Sequence, residues 1–157
     1  MKIKKITALA AVVLATVALS GCSFSREIAS LDMYAPSDGV QLDIEQLKAR
    51  NVMLIKGASG NAVLIGSFVN SGTESITATL QTEDANGEVV RVAFEVAPGK
   101  KFDLGYNGTE GVVMPLAGVP GSIHPVYLAG SSDPIEMNVP ILDGTLAEYR
   151  PFVEALN

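Results

Sequence analysis

Ile76-Thr77-Ala78-Thr79-Leu80-Gln81, then Asn86-Gly87, then Val90-Arg91-Val92-Ala93-Phe94-Glu95-Val96: this stretch decides the fold. Ile76, Ala78 and Leu80 alternate with Thr77, Thr79 and Gln81, and Val90, Val92, Phe94 and Val96 alternate with Arg91, Ala93 and Glu95. A period of two is the mark of a strand with one face in a core and one in water. Asn-Gly between two such segments predicts a hairpin with a type I′ turn, since both central positions of that turn need positive φ.

The same grammar extends in both directions. Val40, Leu42 and Ile44 alternate with Gln41, Asp43 and Glu45, while Val52–Ile55 and Ala62–Ile65, the latter continuing through Gly66 to Phe68 and Val69, are continuous apolar runs separated by Ser59-Gly60-Asn61. Short runs rich in β-branched residues and bounded by turn formers predict strands buried on both faces. Lys101–Leu104, Val112–Met114, Pro125–Ala129 and Ile135–Val139 follow, punctuated by Pro98-Gly99, Asn107-Gly108 and Pro120-Gly121. No amphipathic helix separates these segments, so the expectation is all-β: an immunoglobulin-like, Greek-key antiparallel β-sandwich of about seven to nine short strands. Thr145–Leu156 is the one helix candidate, and Pro151 within it predicts an irregular tail with at most one helical turn. Leu146, Tyr149 and Phe152 are placed to dock an apolar face of that tail onto the sandwich.

The composition excludes several function classes. The chain has 157 residues, 48% of them apolar and 18% charged, with a net charge of −6, one cysteine and one histidine. That hydrophobicity excludes a disordered chain. A lone cysteine excludes an internal disulfide and a thiolate zinc site. The acidic balance argues against nucleic acid as a partner, because binding there rests on cationic groups.

The N-terminal segment reads as an address. Lys2, Lys4 and Lys5 precede an apolar stretch from Ile6 to Leu19, 14 residues long and short of the ~20 that span a bilayer. Leu19-Ser20-Gly21-Cys22 follows at once, where an ordinary secretory signal ends in small residues before its cut. This arrangement resembles the lipobox of bacterial lipoproteins. The resemblance implies cleavage between Gly21 and Cys22, diacylglycerol on the Cys22 sulfur and acylation of the freed amine. The expected organisation is a signal peptide over 1–21, a lipidated tether over 22–39, the sandwich over 40–142 and a tail over 143–157. The expected location is the extracytoplasmic side of a cell membrane. Removing residues 1–21 leaves 8 basic against 17 acidic residues, a net charge of −9. A surface that acidic is repelled by anionic headgroups, which leaves the anchoring to the lipid.

Reactive constellations are scarce. His124 is the single histidine, and its position before Pro125 reads as an exposed loop residue. No nucleophile elbow or nucleotide-binding glycine loop occurs, so neither an enzyme nor a cofactor is expected. Asp43 and Glu45 read as a solvent-facing pair, and Glu83, Asp84 and Glu88 as the polar tip of the hairpin. Asn107-Gly108-Thr109 fits a glycosylation sequon, but beside a bacterial-type lipobox it reads as a plain turn. Met53 and Met137 lie within apolar segments and read as core, although thioethers also bind Cu(I).

Several motifs together resemble a known layout. Asn70-Ser71-Gly72-Thr73-Glu74, Val96-Ala97-Pro98-Gly99-Lys100, Gly111–Leu116, Pro120-Gly121-Ser122 and Ile135–Ile141 resemble successive turns and strands of periplasmic copper chaperones of the PCuAC type. They also resemble the related domains of actinobacterial lipoproteins of the LpqE type. The similarity covers about residues 50–142, and the tail from Leu142 to Tyr149 resembles one found in the same lipoproteins. Carried over by position, Met114 stands for the methionine of the His-x-Met copper stretch and Val112 for its histidine. No histidine precedes His124, so the resemblance implies the sandwich without the copper site. The expected role is a non-catalytic binding or accessory lipoprotein with an envelope protein as partner. The alternative is a divergent copper-binding lipoprotein using Met114, Met33 or His124.

Overall fold

A computed structural model describes Tyr34 and residues 36–156. Within the unit Ala35–Asn157 the chain is almost entirely β. Among the described residues nine strands run in the order β1 (Val40–Ile44), β2 (Leu47–Lys56), β3 (Asn61–Asn70), β4 (Ile76–Glu83), β5 (Val89–Val96), β6 (Lys101–Leu104), β7 (Val112–Pro115), β8 (Ile123–Ala129) and β9 (Ile135–Leu142), followed by helix α1 (Arg150–Ala155).

The strands pair along the path β5-β4-β8-β9-β2-β3-β6, with β1 added to β2 and β7 to β3. β9 links the two halves. It lies antiparallel to β8 over Ile135–Pro140, and its last residues, Ile141 and Leu142, pair parallel with Leu54 and Ile55. That parallel junction departs from the purely antiparallel expectation. It arises because β9 reaches β2 after passing along β8, and the two half-sheets bend round one core. The result is sandwich-like and nearly closed. Across the remaining opening, Phe94 of β5 stacks on Phe102 of β6 with centroids 4.3 Å apart, and Phe68 meets Phe94 at 4.8 Å.

A one-residue irregularity in β2 organises the interior. Register with β3 shifts between Arg50 and Met53, and Asn51 takes φ +52. Inserting one residue flips the side-chain parity of a strand. Leu47 and Ala49 before it, and Val52 and Leu54 after it, therefore all enter the main core, alongside Ala62, Leu64 and Phe68 of β3. Met53, Ile55, Val63 and Ile65 form a second cluster on the other face, covered by Tyr106, Tyr149, Phe152, Val153 and Leu156. The continuous apolar runs are thus strands buried on both faces, as expected, and the C-terminal segment supplies the second cover.

Local geometry departs from expectation in several places. The Asn86-Gly87 hairpin forms, with Glu83 paired to Val89, but its turn is not type I′. Gly87 has φ +80 while Asn86 is not left-handed; the Asp84 carbonyl accepts the Gly87 N–H at 3.1 Å. This is a type I turn closed by a glycine bulge. The Asp84 side chain, accepting from the N–H groups of Asn86 and Glu88, selects it. The double positive-φ geometry occurs instead at Asn107-Gly108, with φ +54 and +86. Pro151 does not interrupt the tail. It stands in the first turn of α1, where a missing N–H costs nothing, and the helix runs six residues. Tyr149 is buried and Phe152 packs beside it, but Leu146 stays exposed.

Candidate functional site

Gly21 and Cys22, the expected cleavage and lipidation residues, lie outside the described residues, as does Met33. None of the described helices is long and apolar enough to cross a membrane.

His124 is not a loop residue. It lies in β8, half-buried, with Nε2 2.8 Å from Thr82 Oγ1 and 3.0 Å from the Glu83 carbonyl. Thr82 is buried and its hydroxyl donates to the Pro125 carbonyl at 2.8 Å. Since Thr82 spends its proton on Pro125, the consistent pattern has His124 Nε2–H donating to both Thr82 and Glu83. The imidazole thereby ties β8 to β4, and that nitrogen has no lone pair to offer a metal. The sequence missed this because His-Pro reads as a turn, whereas Pro125 sits in a strand paired with Asn138.

Met53, Met114 and Met137 are all buried among apolar side chains. Met114 faces the main core from β7, so the one copper ligand position kept from the resemblance is packing. Among the described residues no cluster of three His, Cys, Asp or Glu side chains could hold a metal ion. Several acidic residues have structural work. Asp43 forms an ion pair with Arg50, whose hydrogen bond holds its carboxyl below the usual range. Glu45 sits in the β1–β2 turn with φ +50 rather than on the strand. Asp84 is held below the usual range chiefly by the Glu88 N–H, then by Asn86 and Gly87. Asn107, the sequon residue, donates to Asp103 at 2.6 Å within its turn.

Surface depressions among the described residues include three of note. A polar one of about 390 Å³ lies between the Glu45-Gln46 turn and the loop from Ser71 to Ser75. A second, of about 330 Å³, lies where residue 38 approaches Tyr149. There the Tyr149 hydroxyl donates to Asp38 at 2.6 Å; burial first, then that carboxylate, pushes the phenol well above its ordinary range. A third, about 490 Å³, runs beside α1 and is mainly apolar, with Val113, Phe152, Ala155 and Leu156 on its walls. Val113 is 58% exposed, and among the described residues Glu110 is the one charged residue lining this groove. A groove with a single carboxylate can bind an apolar side chain or acyl chain, but it gathers no acid–base pair or nucleophile with a base. Sequence reasoning missed it because it forms only when the tail covers β3.

No protein-family model matches the chain, and no curated protein matches it.

Proposed function

We propose that the chain is a lipid-anchored, non-catalytic lipoprotein that acts as a binding or accessory module on the outer face of a bacterial membrane. The observation that carries this reading is Leu19-Ser20-Gly21-Cys22 directly after a lysine-led apolar stretch too short to span a bilayer. Two or more acyl chains on one residue give the durable attachment that a single chain does not. The resemblance of residues 50–142 to small envelope lipoproteins supports the same location.

The described residues support binding over catalysis. Asp43, Arg50, Asp84 and His124 are engaged in an ion pair, a turn and an inter-strand tie, and the groove beside α1 is mainly apolar. An envelope protein presenting an apolar side chain to the groove beside α1 is the partner this surface fits.

The test is Cys22→Ala. Wild-type chain recovered from membranes should begin at Cys22 and carry the mass of a diacylglyceryl group. The variant should accumulate as an unprocessed, lipid-free precursor. A wild-type chain that starts elsewhere and is unmodified refutes the anchor. Crosslinking in intact cells through a photoreactive residue at Val113 then tests the groove, and a product that a Phe152→Ala change leaves undiminished refutes that contact.

A further inference from the structure

β5 ends the strand path and, among the described residues, is hydrogen-bonded on one edge only. The hairpin fixes which backbone groups are left over. Asp84 N–H donates to the Glu88 carbonyl, so in an antiparallel ladder residues 90, 92, 94 and 96 exchange bonds with β4. Val89, Arg91, Ala93 and Glu95 aim their N–H and C=O groups at the free edge, and all four are exposed. Natural edges are blunted by proline, bulges, inward charges or like-charged side chains along the edge, whereas the exposed charges here, Arg91 and Glu95, are of opposite sign. This one has no proline, no glycine and an unbroken register over eight residues.

The edge is complementary to itself. Laid antiparallel against a second β5 with Ala93 on the two-fold axis, Arg91 of each copy stands opposite Glu95 of the other. Val92 then faces Phe94, and Val90 faces Val96, which extends cover over inward side chains that are half-buried at 90, 92 and 94. The residues matched in this register are the ones whose backbone groups are free, so hydrogen bonding and charge select the same alignment. Sliding by two residues separates Arg91 from Glu95. Sliding by four sets Arg91 on Arg91 or Glu95 on Glu95, and like charges directly opposite destabilise a pair. Neither residue has an ionic partner among the described residues, where the ion pairs are Arg50–Asp43 and Lys101–Asp103. Arg91 donates to Gln81, and Glu95 accepts from Ser75.

We infer that two copies of this chain join through β5 into one continuous sheet, with reciprocal Arg91–Glu95 pairs flanking Ala93. This association does not depend on the lipid anchor. The test is sedimentation velocity of the full chain in mild detergent, with Arg91→Glu, Glu95→Arg and the double exchange. Wild type should dimerise with a Kd of about 100 μM or tighter, as suits a small interface. Each single exchange puts two like-charge pairs into the junction and should weaken association at least tenfold, about two facing pairs' worth. The double exchange should restore it, and circular dichroism should be the same for all four proteins. A monomeric wild type, single exchanges that dimerise as wild type does, or a double exchange that stays monomeric each overturns the inference. Capture of a foreign strand by a monomeric chain overturns it too.

Discussion

Asn70 is the most consequential buried polar residue of the domain, and replacing it with aspartate tests why. Its side chain has no exposed surface. Nδ2 donates to the carbonyls of Glu74 at 2.6 Å and Val96 at 2.9 Å, and Oδ1 accepts the Gly72 N–H at 2.8 Å. One side chain thus fastens the end of β3 to the following loop and to the last residue of β5. Asn70→Asp keeps the shape and one acceptor but turns the double donor into an oxygen facing two carbonyls. Two hydrogen bonds are lost and a buried charge is left without a partner, which together cost about 3–5 kcal/mol at neutral pH. Burial and the facing carbonyls raise the new carboxyl's folded-state pKa above the unfolded value near 3.9. The native state then holds the extra proton. The variant's stability is therefore greatest below about pH 4 and falls by about 1.4 kcal/mol per pH unit until the raised value is passed. Urea unfolding of wild type, Asn70→Asp and Asn70→Ala between about pH 4 and 7 reads this directly. The gap between wild type and Asn70→Asp should widen with pH, and that for Asn70→Ala should stay constant at about 2–3 kcal/mol. An Asn70→Asp protein within about 1 kcal/mol of wild type at neutral pH, or a gap that does not move with pH, refutes the reasoning.

Tyr149→Phe removes the hydroxyl that donates to Asp38 and should cost about 1–2 kcal/mol in urea unfolding, since a bond to a charged acceptor is lost. Asp103 gives the opposite pH dependence. Burial pushes its carboxyl up, but hydrogen bonds from Lys101, Ser67 and Asn107 outweigh this and hold it below the usual range. Its contribution is present above the unfolded value near 3.9 and is lost as pH falls through the depressed one. Asp103→Ala should therefore lower stability by about 1 kcal/mol at pH 7, a figure reduced for partial exposure, and by much less near pH 2.

The sequence displayed strands where one face is wet, because water imposes the alternation. β4 and β5 were legible for that reason, and β9 largely so. The hairpin between β1 and β2 was not. Glu45-Gln46 carries no glycine, proline or asparagine, yet Glu45 takes φ +50 because Ile44 and Leu47 pair across it. Turn type was equally hidden. Asn86-Gly87 and Asn107-Gly108 are the same dipeptide, but Asp84 stands two residues before Asn86 and recruits the following N–H groups into a different turn. Pro151 was ambiguous because a proline that breaks a helix and one that starts it look alike until the helix start is known. The resemblance behaved likewise. Its Asn70 motif marks a structural tie, whereas its Met114 position marks core rather than metal.

The apolar groove follows from one inserted residue. Without the irregularity at Asn51, β2 could not send Leu47, Ala49, Val52 and Leu54 into the same core, and Met53 and Ile55 would not share an outer face with Val63 and Ile65. Having created that second apolar face, the chain has to cover it, and α1 with its two flanking residues does so through Tyr149, Phe152, Val153 and Leu156. Six helical residues span about 9 Å, less than the breadth of the face once β7 has added Val113 beside β3. The uncovered remainder is floored closely because Gly111 has no side chain: a Cβ there would lie 2.3 Å from Val63 Cγ2. The groove is thus the unfilled margin of the second core. Shortening α1 would enlarge it at the expense of stability, and lengthening α1 would close it. Its apolar walls are an inheritance of strands buried on both faces, which is why the continuous runs in the sequence, and no motif, announce it.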